Sequence, residues 1–173
     1  MTAGFDHSYA RLGRTFSSVQ QLDPVSAPKL LLWNSRLAAG LEWPSDPLSD
    51  PAQLSALAGN EMLHGTQPIA TAYAGHQFGQ YNPQLGDGRA TLLGEWVTSA
   101  GDRFDIQLKG AGPTPYSRGG DGRSPVGPVI REYLLSEAMN ALGVPTTRAL
   151  AAISSGDPVY RNRLDPGAVL TRV

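Results

Sequence analysis

The chain has 173 residues, of which 40% are hydrophobic, and its formal net charge at pH 7 is -1. This composition supports a folded core and gives no general attraction to nucleic acid or membrane, and no apolar run is long enough to cross a bilayer. The sequence contains no cysteine, which excludes disulfides and thiolate metal sites, so we expect a cytoplasmic protein.

The first 68 residues are predicted to form an extension with short helices. Residues 1–28 show no sustained periodicity and are interpreted mainly as an irregular arm, which a short strand at residues 30–33 follows. Asn34 is placed to cap a brief helix, and Asp50, with a proline next to it, marks a second helix start.

A glycine turn between two predicted strands comes next. The sequence NPQLGDGRA puts a Gly-Asp-Gly turn before Arg89, and the strand TLLGEWVT follows it. The alternation in FDIQLK predicts an antiparallel neighbour that ends at Lys109. Glycines in such a turn let backbone N–H groups approach phosphate, and an arginine adds a planar fork. Taken alone, the pattern is as consistent with an ordinary hairpin as with a phosphate site.

The rest of the sequence predicts an irregular loop, one long helix and further strands. The glycine- and proline-rich segment from Gly110 to Pro128 cannot form a regular element, and Pro128 then opens the helix. The predicted apolar stripe of this helix consists of Ile130, Leu134, Ala138, Ala141 and Leu142.

Three strands are predicted after the helix, at residues 148–153, 159–163 and 168–173, with SSGDP as a turn between the first two. Because the sequence ends inside the last of them, we expect the chain to be a fragment. The predicted elements together indicate an α+β fold with an antiparallel sheet and one main helix.

Lys109 and Glu132 form the candidate centre of a binding site. Lys109 is one of only two lysines and ends the third strand of the predicted sheet, and Glu132 lies on the long helix. A glycine-rich loop, a third-strand lysine and an acid on the following helix make up the nucleotide clamp of protein kinases. The alternatives are a solvated strand-end lysine and a first-turn acid that complements the helix dipole.

Other polar residues are less specific. Asp121 and Gly122, in the loop sequence RGGDGR, fit an Asp-Gly turn as well as a nucleotide contact. Arg172 fits a solvated position near a strand end. The three histidines are dispersed and lack metal-ligand spacing.

Long segments of this sequence resemble the selenoprotein O family: AYAGHQFGQYNPQLGDGRATLLGE, DIQLKGAGPTPYSRGGDGRSPVGPVIREYLLSEAM, PTTRALA and GAVLTRV. The resemblance implies a protein-kinase-like small lobe at residues 69–173, preceded by the extension at residues 1–68. It further implies a protein adenylyltransferase that binds ATP in a flipped orientation and transfers AMP to serine, threonine and tyrosine hydroxyls of proteins, with Mg²⁺ or Mn²⁺.

The resemblance also implies roles for individual residues. It assigns ATP binding to Gly86, Gly88, Arg89, Lys109, Asp121, Gly122 and Arg172. It assigns to Glu132 the positioning of Lys109. The family's catalytic aspartate and its metal-binding asparagine and aspartate would follow Val173, so we expect neither a general base nor a metal ligand here.

This reading leads to expectations about activity and partners. We expect no transferase activity from this chain alone, and a monomer whose partners are protein substrates. The alternative function is a catalytically inactive pseudokinase module that senses a nucleotide. A purely structural interaction domain would leave the arrangement of glycine turn, lysine and glutamate as a coincidence.

Overall fold

Ten strands form one antiparallel sheet in the computed structural model, which describes residues 2–173. The strands are β1 (Gly4–Asp6), β2 (Ser17–Val19), β3 (Lys29–Trp33), β4 (Ile69–Gln77), β5 (Gln80–Gly86), β6 (Ala90–Val97), β7 (Arg103–Lys109), β8 (Ser124–Pro125), β9 (Ala149–Tyr160) and β10 (Leu164–Arg172). The helices are α1 (Ser35–Gly40), α2 (Pro51–Leu57) and α3 (Val126–Ala141), with a 3₁₀ turn at Ala10–Leu12.

The main path of the sheet is β2-β4-β6-β7-β10-β9-β3, and β1, β5 and β8 add to β6, β4 and β10. This architecture is α+β and is compatible with a kinase-like small lobe. Within the described residues, no helix is both long enough and apolar enough to cross a membrane.

The two faces of the sheet pack against different helices. On one face, Ile106 and Leu108 of β7 are fully buried in a cluster that includes Leu57 of α2. On the other face, Val129 and Tyr133 of α3 pack in a second cluster with alanines and a leucine of β9 and β10. Full burial of one such aliphatic side chain stabilises the fold by about 2 kcal/mol. The polar face of β7 therefore lies on the same side of the sheet as α3.

Both predicted helix starts in the N-terminal region are confirmed. The side chain of Asn34 accepts a hydrogen bond from the backbone N–H of Leu37 at 3.0 Å. Asp50 accepts from the N–H groups of Ala52 and Gln53 at 3.0 and 3.4 Å. Each cap satisfies donors that the first turn of a helix leaves without partners.

The irregular arm predicted for residues 1–28 is wrong in two places, because β1 pairs with β6 and β2 pairs with β4. Met1 lies outside the described residues. Three-residue strands are too short to show the alternation of apolar and polar residues that identifies a strand. Long-range contacts hold this region in place, because the Glu95 carboxylate of β6 accepts hydrogen bonds from the N–H groups of Ser8 and Tyr9 at 2.6 and 2.8 Å. Strands from residues 1–68 and 69–173 share the sheet, and the division of the chain there stays a prediction.

Three further expectations about elements need correction. The strand predicted before the glycine turn is a β4–β5 hairpin rather than a single strand, and its turn residues Phe78 and Gly79 have φ of 55° and 77°. SSGDP is not a turn: it lies inside β9, where Ser155 Oγ bonds the backbone of Asp157 in place of regular ladder bonds. The loop predicted to be irregular up to Pro128 contains β8 and the first two residues of α3.

The predicted apolar stripe of α3 is also wrong. Leu134 and Leu142 are 57% and 77% exposed, whereas Val129, Tyr133 and Ser136 are buried. The buried face is the one that fits against the small residues of β9 and β10, and that choice depends on tertiary packing rather than on the helical period.

Candidate functional site

Lys109 lies at the centre of the sheet, at the end of β7. In the strand pairing it is opposite Ala90 of β6 and Leu170 of β10. Because side chains alternate along a strand, Gln107 and Lys109 project from the face opposite to buried Leu108. The ammonium group is therefore directed toward α3.

Glu132 of α3 meets this ammonium group in an ion pair. Lys109 Nζ donates to Glu132 Oε1 at 2.9 Å and to Oε2 at 2.7 Å, and the two side chains are 23% and 29% exposed. This contact is the geometry that the nucleotide-clamp hypothesis requires of Lys109 and Glu132. The helix-dipole alternative loses support, because α3 begins at Val126 and has no acid in its first turn, where that effect acts.

Arg172 joins the same carboxylate. Its Nη1 donates to Glu132 Oε1 at 3.3 Å, and its Nη2 donates to the side-chain oxygen of Gln107, which lies opposite it in the β7–β10 pairing. The interpretation of Arg172 as an unconstrained, solvated strand residue therefore does not hold. Lys109 and Arg172 share the single carboxylate of Glu132, so this group of three side chains keeps one positive charge that can attract an anion.

A hydrogen-bonded chain links this cluster to the glycine turn. Gln107 Nε2 donates to Asp87 Oδ2 at 3.0 Å, and Thr71 Oγ1 donates to the same oxygen at 2.6 Å. Asp87 lies between the two glycines of the turn. The sequence reasoning did not assign functions to Gln107 and Asp87, although Gln107 shares the strand period of Lys109.

The glycine turn packs tightly against the loop after β7. A Cβ on Gly86 would lie 2.2 Å from the ring of Tyr116, and a Cβ on Gly88 would lie 2.8 Å from the carbonyl oxygen of Tyr116. The carbonyl oxygens of Asp87 and Gly88 accept from Thr114 Oγ1 and Ser117 Oγ, each at 2.5 Å. Close packing against Tyr116 therefore accounts for glycine at both positions without any ligand.

Arg89 follows this turn with an exposed side chain. Its carbonyl oxygen accepts from the backbone N–H of Gly110 at 2.7 Å, which fixes its backbone beside the end of β7. Within the part of the chain that the structure describes, no acidic side chain pairs with Arg89. Its guanidinium group is free to contact a ligand.

Asp121 and Gly122 lie apart from the lysine cluster. Arg161 donates to both carboxylate oxygens of Asp121 at 2.9 Å, and these hydrogen bonds hold the pKa of Asp121 below its usual range. Gly122 has a φ of +65°, and a Cβ there would lie 1.9 Å from the carbonyl oxygen of Gly112. The local contacts match the Asp-Gly turn reading, and none among residues 2–173 joins either residue to Lys109.

The charges around the glycine turn favour an anion. Three cations and two carboxylates, namely Arg89, Lys109, Arg172, Asp87 and Glu132, leave a local net charge of +1. A metal ion does not fit this group, because each carboxylate is already occupied by side-chain donors. The described residues contain no cluster of three or more His, Cys, Asp or Glu that could hold a metal.

Comparisons with known proteins show similarity along the whole chain. A family model described as "Protein adenylyltransferase SelO" matches residues 1–173. The chain is similar to proteins named "Protein nucleotidyltransferase YdiU": 59% identical over 98% of this chain in Alkalilimnicola ehrlichii, 59% over 98% in Rhizobium rhizogenes, and 54% over 97% in Bacillus cereus. In each case the match covers 34% of the relative, so this chain spans about a third of the length of those proteins.

Proposed function

Because this chain belongs to the SelO family of protein adenylyltransferases, we propose that it forms the ATP-binding part of an enzyme that transfers AMP from ATP to serine, threonine and tyrosine hydroxyls of proteins. The observation that supports this most directly is the contact of Lys109 and Arg172 with the shared carboxylate of Glu132, next to a glycine turn.

In the proposed reaction, a protein hydroxyl oxygen attacks the α-phosphorus of ATP, and the hydroxyl proton is released to solvent. The bond between that phosphorus and the bridging oxygen breaks, and pyrophosphate leaves with the electron pair. Lys109 and Arg172 would bind phosphate oxygens and offset the charge that grows on the leaving group. Glu132 would keep the ammonium group extended, so that less side-chain entropy is lost when ATP binds.

The remaining candidates are proposed to act around this centre. Arg89, whose guanidinium group is unpaired among the described residues, would contact phosphate from the glycine turn. Gly86 and Gly88 would let the nucleotide approach the backbone, and Asp121 and Gly122 would contact it from the loop. A divalent cation, which nucleotidyl transfer generally uses, would need ligands other than residues 2–173, so we derive no step through it.

The test is AMP incorporation by the full-length protein that contains this chain. Lys109→Ala should reduce the rate by ~10²–10³, because it removes one donor to the developing charge. Lys109→Arg should not restore it, since a planar fork does not replace a compact ammonium group. Lys29→Ala, at the other lysine of the chain and exposed on β3, is the matched control and should transfer AMP normally.

Normal transfer by Lys109→Ala would refute the proposed role. Nucleotide binding without any transfer by the wild-type full-length protein would instead favour the nucleotide-sensing pseudokinase module. Thermal melts of all variants separate loss of function from loss of fold.

A further inference from the structure

A second cleft lies on the far side of the glycine turn. It has a volume of about 530 Å³ and is bounded by the β4–β5 hairpin and by residues 115–118 of the loop after β7. Gly86 and Gly88 form part of its wall, whereas Lys109, Glu132 and Arg172 do not line it. We call it the hairpin cleft. It is therefore a space distinct from the lysine cluster, although the two share the glycine turn.

Two arginines face the hairpin cleft without a balancing acid. Arg14 and Arg118 are exposed, and neither forms an ion pair with any residue of the described chain. Arg118 Nη1 donates to Gln77 Oε1 at 3.0 Å, which directs the guanidinium group along the hairpin. No acidic side chain is among the described residues that line the cleft. The cleft is thus positively charged at neutral pH and suited to an anionic ligand.

The backbone at Arg118 is strained in a way that glycine would relieve. Its φ is +52°, in the left-handed region that costs a non-glycine residue roughly 1 kcal/mol or more. The next residue, Gly119, has a φ of +80° without such a cost. An arginine at this position is unfavourable for the fold of the loop. The loop around Arg118 imposes this conformation and fixes the point from which its side chain reaches the cleft.

The other wall of the cleft suits an extended polypeptide. The hairpin from Ile69 to Gly86 contains no charged residue, and Gln77, Asn82 and Gln84 direct amide groups toward the cleft. The unpaired edge of β5 is interrupted, because Pro83 has no N–H and the N–H of Gln84 donates to Asn82 Oδ1 at 3.0 Å. Contacts with a polypeptide would therefore come from the side chains that line the cleft, and a small anion does not need such a row of amides.

We propose that the hairpin cleft binds an acidic, extended segment of the protein substrate, whose carboxylates contact Arg14 and Arg118. This inference rests on the proposed function, because the adjacent glycine turn would hold the nucleotide. A substrate hydroxyl near acidic residues would then be placed beside the bound ATP. The row of neutral amides along the hairpin favours a polypeptide over a second phosphate site, and Gly86 and Gly88, which we assign to the nucleotide, form the wall that the two sites share.

The experiment measures two separate affinities of the full-length protein that contains this chain. One probe is a fluorescein-labelled glutamate-rich peptide that contains one serine, compared with its glutamine counterpart by fluorescence anisotropy. The other is ATP, measured by calorimetry. The double variant combines Arg14→Gln with Arg118→Asn, because asparagine tolerates the left-handed backbone at position 118. The control is Arg36→Gln, at an exposed arginine of α1.

We expect the wild type to bind the glutamate peptide more tightly than the glutamine peptide, and increasingly so at low salt. The double variant should bind the glutamate peptide roughly three- to tenfold more weakly, with ATP affinity unchanged, and Arg36→Gln should match the wild type. Equal binding of the two peptides, or no effect of the double variant, would overturn the proposal.

An equal loss of ATP affinity in the double variant would also overturn it, because the arginines would then belong to the nucleotide site. If ATP fails to bind the wild type while the peptide results hold, the hairpin cleft is supported and the proposed function is refuted.

Discussion

Glu132→Gln separates a structural ion pair from a residue that positions Lys109. The substitution removes the charge shared by Lys109 and Arg172 but keeps one carbonyl oxygen as an acceptor. Since the ion-pair side chains are about a quarter exposed, we expect a loss of about 1 kcal/mol in the free energy of unfolding. For a chain of this length, that corresponds to a fall of roughly 2–4 °C in Tm.

We expect Glu132→Gln to weaken ATP binding, although electrostatics alone would predict tighter binding. Removing an acid raises the local net charge by one, which by itself favours a polyphosphate. Without Glu132, however, the Lys109 side chain must be ordered when ATP binds, at a cost of roughly 1.5–2 kcal/mol. This predicts ATP binding about tenfold weaker than in the wild type.

Calorimetric ATP titrations and thermal melts of both proteins measure these two quantities. Glu61→Gln is the matched control, because Glu61 is exposed and, among residues 2–173, its side chain takes part in one hydrogen bond, from Ser55 Oγ at 3.2 Å. Tighter or equal ATP binding by Glu132→Gln would refute the positioning role and leave a purely structural ion pair.

Three further predictions concern the fold and the isolated chain. Gly122→Ala should lower the free energy of unfolding by at least ~2 kcal/mol in urea melts, because its Cβ would meet the Gly112 backbone, whereas Gly127→Ala has open space and should be nearly neutral. Burial alone would raise the pKa of Glu137, but hydrogen bonds from Arg148 and other donors hold this pKa below its ordinary value of 4.5. The ionised Glu137 therefore stabilises the fold fully above pH 4.5, and this stabilisation is lost as the pH falls through the lowered pKa. Glu137→Gln should therefore cost about 2 kcal/mol at pH 7 with a difference that shrinks in acid, and a difference independent of pH would contradict this. The isolated chain should incorporate no radiolabelled AMP into protein, and any incorporation above background would refute that expectation.

The lysine, its strand and its glutamate partner were predictable from the sequence because each depends on local patterns. The alternation of apolar and polar residues in β7 indicates which face of the sheet carries Lys109. The continuous helix-forming sequence after Pro128 places Glu132 on the helix that follows. The contact of Arg172 with Glu132 depends on the β7–β10 register, which single-strand patterns do not determine.

The errors have the same physical origin. The short strands β1 and β2 exist because β6 and β4 pair with them, and Glu95 supplies bonds from far along the chain. The exposed Leu134 shows that an apolar period on a helix does not determine which face meets the sheet. Arg118 in the left-handed region is likewise set by the loop around it rather than by its own preference.

The most direct test of ATP binding at the lysine cluster is calorimetry of ATP with the 173-residue chain, in three forms: wild type, Lys109→Ala and Lys29→Ala. Lys109 is partly buried in its ion pair, whereas Lys29 is exposed on β3. We predict that the wild type and Lys29→Ala bind ATP equally and that Lys109→Ala binds at least about tenfold more weakly, with a Tm lowered by no more than roughly 2–4 °C because the ion pair is lost. Equal ATP affinity in all three forms would contradict the assignment of Lys109 to the nucleotide.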